Sequence, residues 1–249
     1  MKKVFIALMA YSGQIAPPVK NMLAEFEAEW RARGGKVMKS DSVGNCRITL
    51  ARNAMVADFM ASDADQLLFV DCDNYCEAVT LVRLAECPLD VVGLAIRTRE
   101  ENVRWNVRWL LDRPSLIATD PVTRQPSNTG FLEVEKVGTG IMKISRACLE
   151  RMYEAYPENW YHDLANRTGR ALALFEEVRR DNLYWSEDLI FCERWRAIGG
   201  EVWIDPTATT WHIGHTLFQG NIGNWTRHRG DTTEMERLFD VVLGPMPAK

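Results

Sequence analysis

Gln66-Leu67-Leu68-Phe69-Val70-Asp71-Cys72-Asp73-Asn74 is an apolar run that ends abruptly in two carboxylates one residue apart. The run has the length and residue types of a buried strand. At the end of a strand in an α/β sheet, such a pair faces the crevice where ligands bind. Two hard oxygen donors placed there suit Mg²⁺ or Mn²⁺ held against the phosphates of a nucleotide. Alone, the same residues also make an ordinary strand with an acidic turn, because Asp and Asn favour turns. The surrounding chain separates the two readings.

Upstream, Val4–Ala10 reads as a first strand. Pro17-Pro18 opens a helix, and Val19, Met22, Leu23, Phe26 and Trp30 recur at helical spacing before Gly34-Gly35 stops it. Lys36–Val43 reads as a second strand, and Ile48, Ala51, Met55 and Phe59 line one face of a second helix. Gln66–Val70 is then the third strand, Ala78–Glu86 a third helix and Asp90–Ala95 a fourth strand. Repeated β-α-β units imply a largely parallel sheet with helices on both faces.

After Arg97 the pattern changes. Arg97–Asn128 carries charges, Trp105, Trp109 and three prolines without a clean period, and reads as a long excursion over a site. Phe131–Val137 and Gly140–Ser145 are strand-like around Gly138-Thr139-Gly140. Ala147–Tyr156 and Asp188–Ile198 read as helices, with Gly199-Gly200 and a strand Glu201–Ile204 after the second. Thr207–Arg229 is rich in Trp, His and Gly, Thr233–Leu243 reads as a last helix, and Gly244–Lys249 as a tail. With no internal repeat, low-complexity segment or linker, the expectation is one domain over 1–249, with 1–96 as a nucleotide-sugar-binding half and 97–249 as the acceptor-side half and C-terminal tail.

Hydrophobic residues at 47% and charged residues at 26% describe a globular chain, and a net charge of −4 argues against a strongly basic nucleic-acid binder. Arg outnumbers Lys 22 to 8, a skew that suits bidentate grip on phosphate or carboxylate and equally fits compositional bias. Cys46, Cys72, Cys76, Cys87, Cys148 and Cys192 contain no C-x-x-C pair and no zinc spacing, so they read as reduced thiols in a cytoplasmic setting. The short apolar run after Met1-Lys2-Lys3 reads as a buried strand rather than a signal segment, and no stretch reaches membrane-spanning length.

Four segments, in order, carry a resemblance. They are Arg47-Ile48-Thr49-Leu50-Ala51-Arg52-Asn53; Asp71-Cys72-Asp73; Val137-Gly138-Thr139-Gly140; and Trp185-Ser186-Glu187-Asp188, followed by Trp211-His212-Ile213-Gly214-His215. Together they resemble the GT-A-fold nucleotide-sugar glycosyltransferases, most of all the compact cytosolic or phage-type members, from about Val4 to about Gly220. The fold implied is a mostly parallel Rossmann-like sheet flanked by helices, with a smaller antiparallel acceptor-side part.

The resemblance assigns roles. Asp71 and Asp73 would bind Mn²⁺ or Mg²⁺ and through it the donor diphosphate, where charge grows as the sugar leaves. His212 would complete the metal site, with His215 as the alternative. Arg52 and Asn53, or Arg47, would contact the phosphate and the base or ribose of the donor. Gly138 and Gly140 would let backbone approach the sugar. Asp188 would deprotonate the acceptor hydroxyl with Glu187 beside it. The same Ser-Glu-Asp start is also a stabilising helix N-terminus, with Ser186 as cap. The implied partners are a nucleotide-diphosphate sugar and an acceptor that is a glycan, a lipid-linked sugar, a protein or a modified DNA base. Two rivals remain. A nucleotidyltransferase is disfavoured because Ala10-Tyr11-Ser12-Gly13-Gln14 holds no Lys or Arg. A non-catalytic carbohydrate or nucleic-acid binding module would use the Trp- and Arg-bearing stretch Trp225–Arg229.

Overall fold

The computed structural model describes residues 2–43, 45–101, 103–110, 130–163 and 168–229, with side chains to 225. The helix and tail expected beyond residue 230, and the 111–128 part of the excursion, lie outside the described residues.

In chain order the elements are β1 (Lys3–Ala10), α1 (Pro17–Ala32), β2 (Lys36–Val43), α2 (Ile48–Met60), β3 (Gln66–Asp71), β4 (Asn74–Cys76), α3 (Ala78–Glu86), β5 (Val91–Gly93), β6 (Val107–Arg108), β7 (Leu132–Val134), β8 (Lys136–Val137), β9 (Ile141–Ser145) and α4 (Arg146–Ala155). They continue with β10 (Trp160–His162), β11 (Arg170–Leu172), β12 (Val178–Arg180), β13 (Leu183–Trp185), α5 (Glu187–Ala197), β14 (Val202–Ile204), β15 (Thr210–Ile213), β16 (Leu217–Gly220) and α6 (Ile222–Arg229).

A seven-stranded sheet in the order β2-β1-β3-β9-β5-β14-β7 forms the centre. Strands β2, β1, β3, β5 and β14 share one direction, and β9 and β7 run against them. β1 is apolar at every position after Lys3 because both its faces are covered. Val4, Ile6 and Leu8 pack with α1 and α3, whereas Phe5, Ala7 and Met9 pack with α2, α4 and α5. At the sheet edge, β2 carries exposed Lys36, Lys39 and Asp41, charges that blunt an edge against further pairing. The expected α/β architecture with small antiparallel sheets is present. The proposed halves interleave, however: β9, β14 and β7, all later than residue 97, lie within or beside the strands of 1–96. Among the described residues no helix is long and apolar enough to cross a membrane, and all six cysteines are free thiols.

Two helices end alike. Trp30-Arg31-Ala32-Arg33-Gly34-Gly35 closes α1, and Trp195-Arg196-Ala197-Ile198-Gly199-Gly200 closes α5. Gly34 and Gly199 hold φ of +80° and +83°, a conformation that costs glycine little. The next glycine lies under the indole five residues earlier. A Cβ on Gly35 would stand 2.2 Å from Trp30, and one on Gly200 would stand 2.0 Å from Trp195. Trp195 is fully buried, and its Nε1 donates to the Glu201 carbonyl. Gly200→Ala is therefore expected to destabilise the fold by about 1–3 kcal/mol through overpacking. Urea denaturation checks this, and an unchanged midpoint would refute it.

Residues 157–185 have no clear period, yet they fold as two antiparallel pairs, β10 with β11 and β12 with β13. Asp181 and Asn182, both at positive φ, form the two-residue turn of the second pair.

Candidate functional site

The carboxyl ends of β3 and β5 open onto a cleft of about 280 Å³. Asp71, Asp73, Arg52, Gly138, Gly140, Asp188 and His212 all line it. Arg47 and Asn53 do not, and Glu187 lies behind the wall.

One wall is the acidic turn. Asp71 ends β3, and its amide donates to the Gly140 carbonyl at 2.9 Å. The chain then enters β4 rather than a helix. β4 pairs with β15, which sets His212 opposite Asn74, and the Ile213 amide donates to the Asp73 carbonyl at 2.8 Å. Asn74 Nδ2 donates to Asp73 Oδ1 at 2.9 Å, and His212 Nε2 lies 3.9 Å from Asp73 Oδ2. His212 Nδ1 stands 3.0 Å from the Arg97 carbonyl. A carbonyl only accepts, so Nδ1 carries a hydrogen, and Nε2 is the ring nitrogen that faces Asp73. His215 is exposed, with its ring edge-on to Phe218, outside the cleft.

The opposite wall is Gly138-Thr139-Gly140 and the start of α5. Cys192 Sγ contacts the Val137 carbonyl at 3.4 Å and ties α5 to β8. Asp188 Oδ1 accepts the Leu189 amide at 2.7 Å and the Ser186 hydroxyl. Ser186 sits at the N-cap position but bonds Asp188 instead of a backbone amide, so the expected cap is replaced by a brace on the carboxylate. Asp188 Oδ2 is held over Gly138, where a Cβ would come within 2.9 Å of it and 2.8 Å of Asn106 Nδ2. Glycine at 138 keeps that oxygen accessible.

The floor is Arg52, 4% exposed on α2. Its Nη2 reaches both Asp71 oxygens at 3.5 Å, and its Nε lies 3.4 Å from Glu187 Oε1. Glu187 is thus a buried partner of Arg52 rather than a group facing the cleft, and burial pushes its carboxyl pKa up against the pull of Arg52. Asn53 is placed differently from its expected donor-binding role. Its Oδ1 accepts the amides of Leu174 and Phe175 at 3.1 and 2.9 Å, and its Nδ2 donates to the Phe175 carbonyl at 2.8 Å. Both ends of the amide are taken up in joining α2 to a segment more than 120 residues away. Arg47 is exposed at the N-terminal end of α2 and stands away from the cleft.

Sequence reasoning missed Asn74, Ile96, Arg97, Thr98, Arg99, Asn106 and Thr139, which complete the lining. Asn106 laces the floor: its Oδ1 accepts the Ile96 amide at 2.7 Å and its carbonyl accepts the Gly138 amide at 2.7 Å. Among the described residues, Arg52 Nη1, Asn74 Oδ1, Arg97 Nε, Thr98 Oγ1 and Thr139 Oγ1 are buried with no hydrogen-bond partner. Buried polar atoms are almost always partnered, so five orphans around one cleft mark a place where a polar ligand belongs.

Asp71 lies deepest. Burial pushes its pKa up to about 7, against the pull of Arg52, and Asp73, Asp188 and Glu187 add repulsion. The folded-state value therefore exceeds the unfolded value of ~4. Its contribution to stability is complete below pH ~4 and is lost as pH rises through about 7. Asp71→Asn is expected to flatten the fall in melting temperature between about pH 5 and pH 8 and to add roughly 1–3 kcal/mol at pH 8. Thermal melts across that range check this, and a variant that melts lower than wild type at pH 8 would contradict it.

No family model and no curated protein matches the chain. Among solved structures it is similar to residues 1–349 of S. aureus TarS, with TM-score 0.40 and 14% identity over 82% of this chain and 58% of that one. It is also similar to a glycosyltransferase involved in glycosylation of the major capsid of PBCV-1, with TM-score 0.31 and 11% identity over 59% of this chain and 62% of that one. The chain thus spans about three-fifths of the length of either structure, at scores too low to transfer fold or activity. The function has to be read from the cleft.

Proposed function

We propose that the protein transfers a sugar from a nucleotide diphosphate to an acceptor hydroxyl, with a divalent cation bound. The observation that carries this reading is the cleft's two-sidedness. Asp73 and His212 Nε2 face each other on one wall, and a carboxylate braced through its Oδ1, with Oδ2 turned to the cleft, faces the same space from the other at Asp188.

Among the described residues no three His, Cys, Asp or Glu side chains converge as a metal cage. Asp73 and His212 stand as a pair, with Nε2 3.9 Å from Oδ2. A carboxylate oxygen and a ring nitrogen facing one another can share a cation, and this oxygen–nitrogen set suits Mn²⁺ and tolerates Mg²⁺. Cations of this kind commonly take one or two protein ligands and fill the rest of their shell from substrate phosphates and water. Asp73 and His212 would hold the ion, with Asp71 behind them. When bound, it supplies positive charge for the leaving diphosphate.

The protein's own residues do the remainder. Arg52 offers its buried, unpartnered Nη1 to an anion at the floor. Asn74 Oδ1, Thr98 Oγ1 and Thr139 Oγ1 offer hydrogen bonds to sugar hydroxyls, and Gly138 and Gly140 admit the ring. Asp188 Oδ1 is fixed by two donors, so Oδ2 is left to take the acceptor proton as the new glycosidic bond forms.

The test is incubation with a panel of sugar nucleotides and Mn²⁺, measuring released nucleoside diphosphate. Release from one donor, lost in chelator, is expected. No release from any donor by folded protein would leave a binding module, and pyrophosphate released from a nucleoside triphosphate would make the enzyme a nucleotidyltransferase.

A further inference from the structure

Arg99, on the cleft rim, holds Asp73 by an ion pair. Its Nη2 reaches Asp73 Oδ2, the same oxygen that faces His212 Nε2. The guanidinium therefore sits against the oxygen that the previous section gives to the cation. Its approach is set by local structure. The chain turns back between Ile96 and Asn106, with the Thr98 amide donating to the Arg104 carbonyl and the Asn106 amide to the Ile96 carbonyl. This places Arg97, Thr98 and Arg99 along the cleft rim. The Arg97 carbonyl engages His212, and the Arg99 stem crosses Gly214, where a Cβ would stand 3.1 Å from Arg99 Cδ. Arg99 is 42% exposed on its side chain, so nothing buries it in this position.

We propose that Arg99 is an internal counter-ion that occupies the Asp73 site in the ligand-free protein and moves to the donor diphosphate when the cation enters. The inference rests on the proposed function. An arginine and a divalent cation compete for Asp73 Oδ2, since each needs the same lone pairs. A diphosphate offers the displaced guanidinium a better partner, because it accepts two parallel N–H bonds and carries more charge than a single carboxylate. Cation and diphosphate then promote one another's binding: the first frees Arg99, and the second gives it a place to go. Coupling of this kind is reciprocal by thermodynamic necessity. It keeps a bare cation weakly bound until the donor arrives.

The experiment measures Mn²⁺ affinity by electron paramagnetic resonance and inorganic pyrophosphate affinity by calorimetry, each probe alone, on the full chain and on Arg99→Met. Exposed ion pairs are weak, so the expected effects are modest and opposite in sign. Mn²⁺ alone should bind roughly 3- to 10-fold more tightly to Arg99→Met, and pyrophosphate alone more weakly by a similar factor. A residue that merely shaped the loop would weaken both. Arg99→Lys, which keeps a charge but not the fork, should leave Mn²⁺ affinity closer to wild type while still weakening pyrophosphate. If wild type binds Mn²⁺ in the presence of pyrophosphate but Arg99→Met leaves Mn²⁺ affinity unchanged or lower, the counter-ion role is wrong and the proposed function stands. If neither protein binds Mn²⁺ with or without pyrophosphate, both fall.

Discussion

Asp73→Ala is expected to remove Mn²⁺ binding and to reduce sugar transfer by at least ~10³-fold, the rate equivalent of the several kcal/mol a Lewis acid contributes to a leaving diphosphate. Asp73 is the residue on which the proposed cation site centres, with Asn74, His212 and Arg99 all directed at its carboxylate. The fold should tolerate the change. Asp73 is 31% exposed in a turn, and its backbone contact to Ile213 does not use the side chain. The check is turnover and Mn²⁺ affinity measured beside a melting curve. Full activity in this variant, or in wild type with excess chelator, would remove the metal from the reaction.

Asp188→Asn is the second large effect. An amide is nearly isosteric, and its oxygen can still accept from Leu189 and Ser186, so α5 should keep its start. What is lost is the ability of the free oxygen to take a proton. The kcat should fall by roughly 10²–10⁴, the usual span for a missing general base, with donor affinity near wild type. Calorimetry with the donor, beside turnover with its acceptor, separates the two. Near-normal turnover with Asn at 188 would place the base elsewhere.

Much of the fold was legible because its strands and helices are strongly patterned. β2 and α3 coincide with the segments read from apolar spacing and Gly or Pro punctuation, and all five apolar positions singled out on α1 are buried. The sheet order was not legible. Nothing in Ile141–Ser145 says that it runs backwards between β3 and β5, because pairing partners are chosen by tertiary packing and not by local period. The hairpin around Asp181-Asn182 carries a turn signal, but its strands of only three residues are too short to show an alternating period.

In the cleft, carboxylates at an abrupt hydropathy change stood out, and so did glycines. The arginines and amides did not. Arg99 and Asn106 lie in a stretch without period, and only the backbone pairing of residues 96–106 turns them inward. Asn53 shows the opposite failure. It neighbours Arg52 in sequence, but one helical step of about 100° points it into the core, where two backbone amides and a carbonyl claim it.

The place of β9 sets a schedule for synthesis. A chain leaving the ribosome can pair β1, β2 and β3 once Asp71 has emerged, but the other edge of β3 stays bare until Ile141–Ser145 follows. At ~5–20 residues per second that wait lasts roughly 4–15 s. Until then β5 has neither of its sheet neighbours, and an apolar strand edge is open to pairing with other nascent chains. A fragment ending near residue 96 would carry that vulnerability permanently. It should aggregate rather than fold on its own, and the cleft would close only late, when β9 threads between strands made long before it.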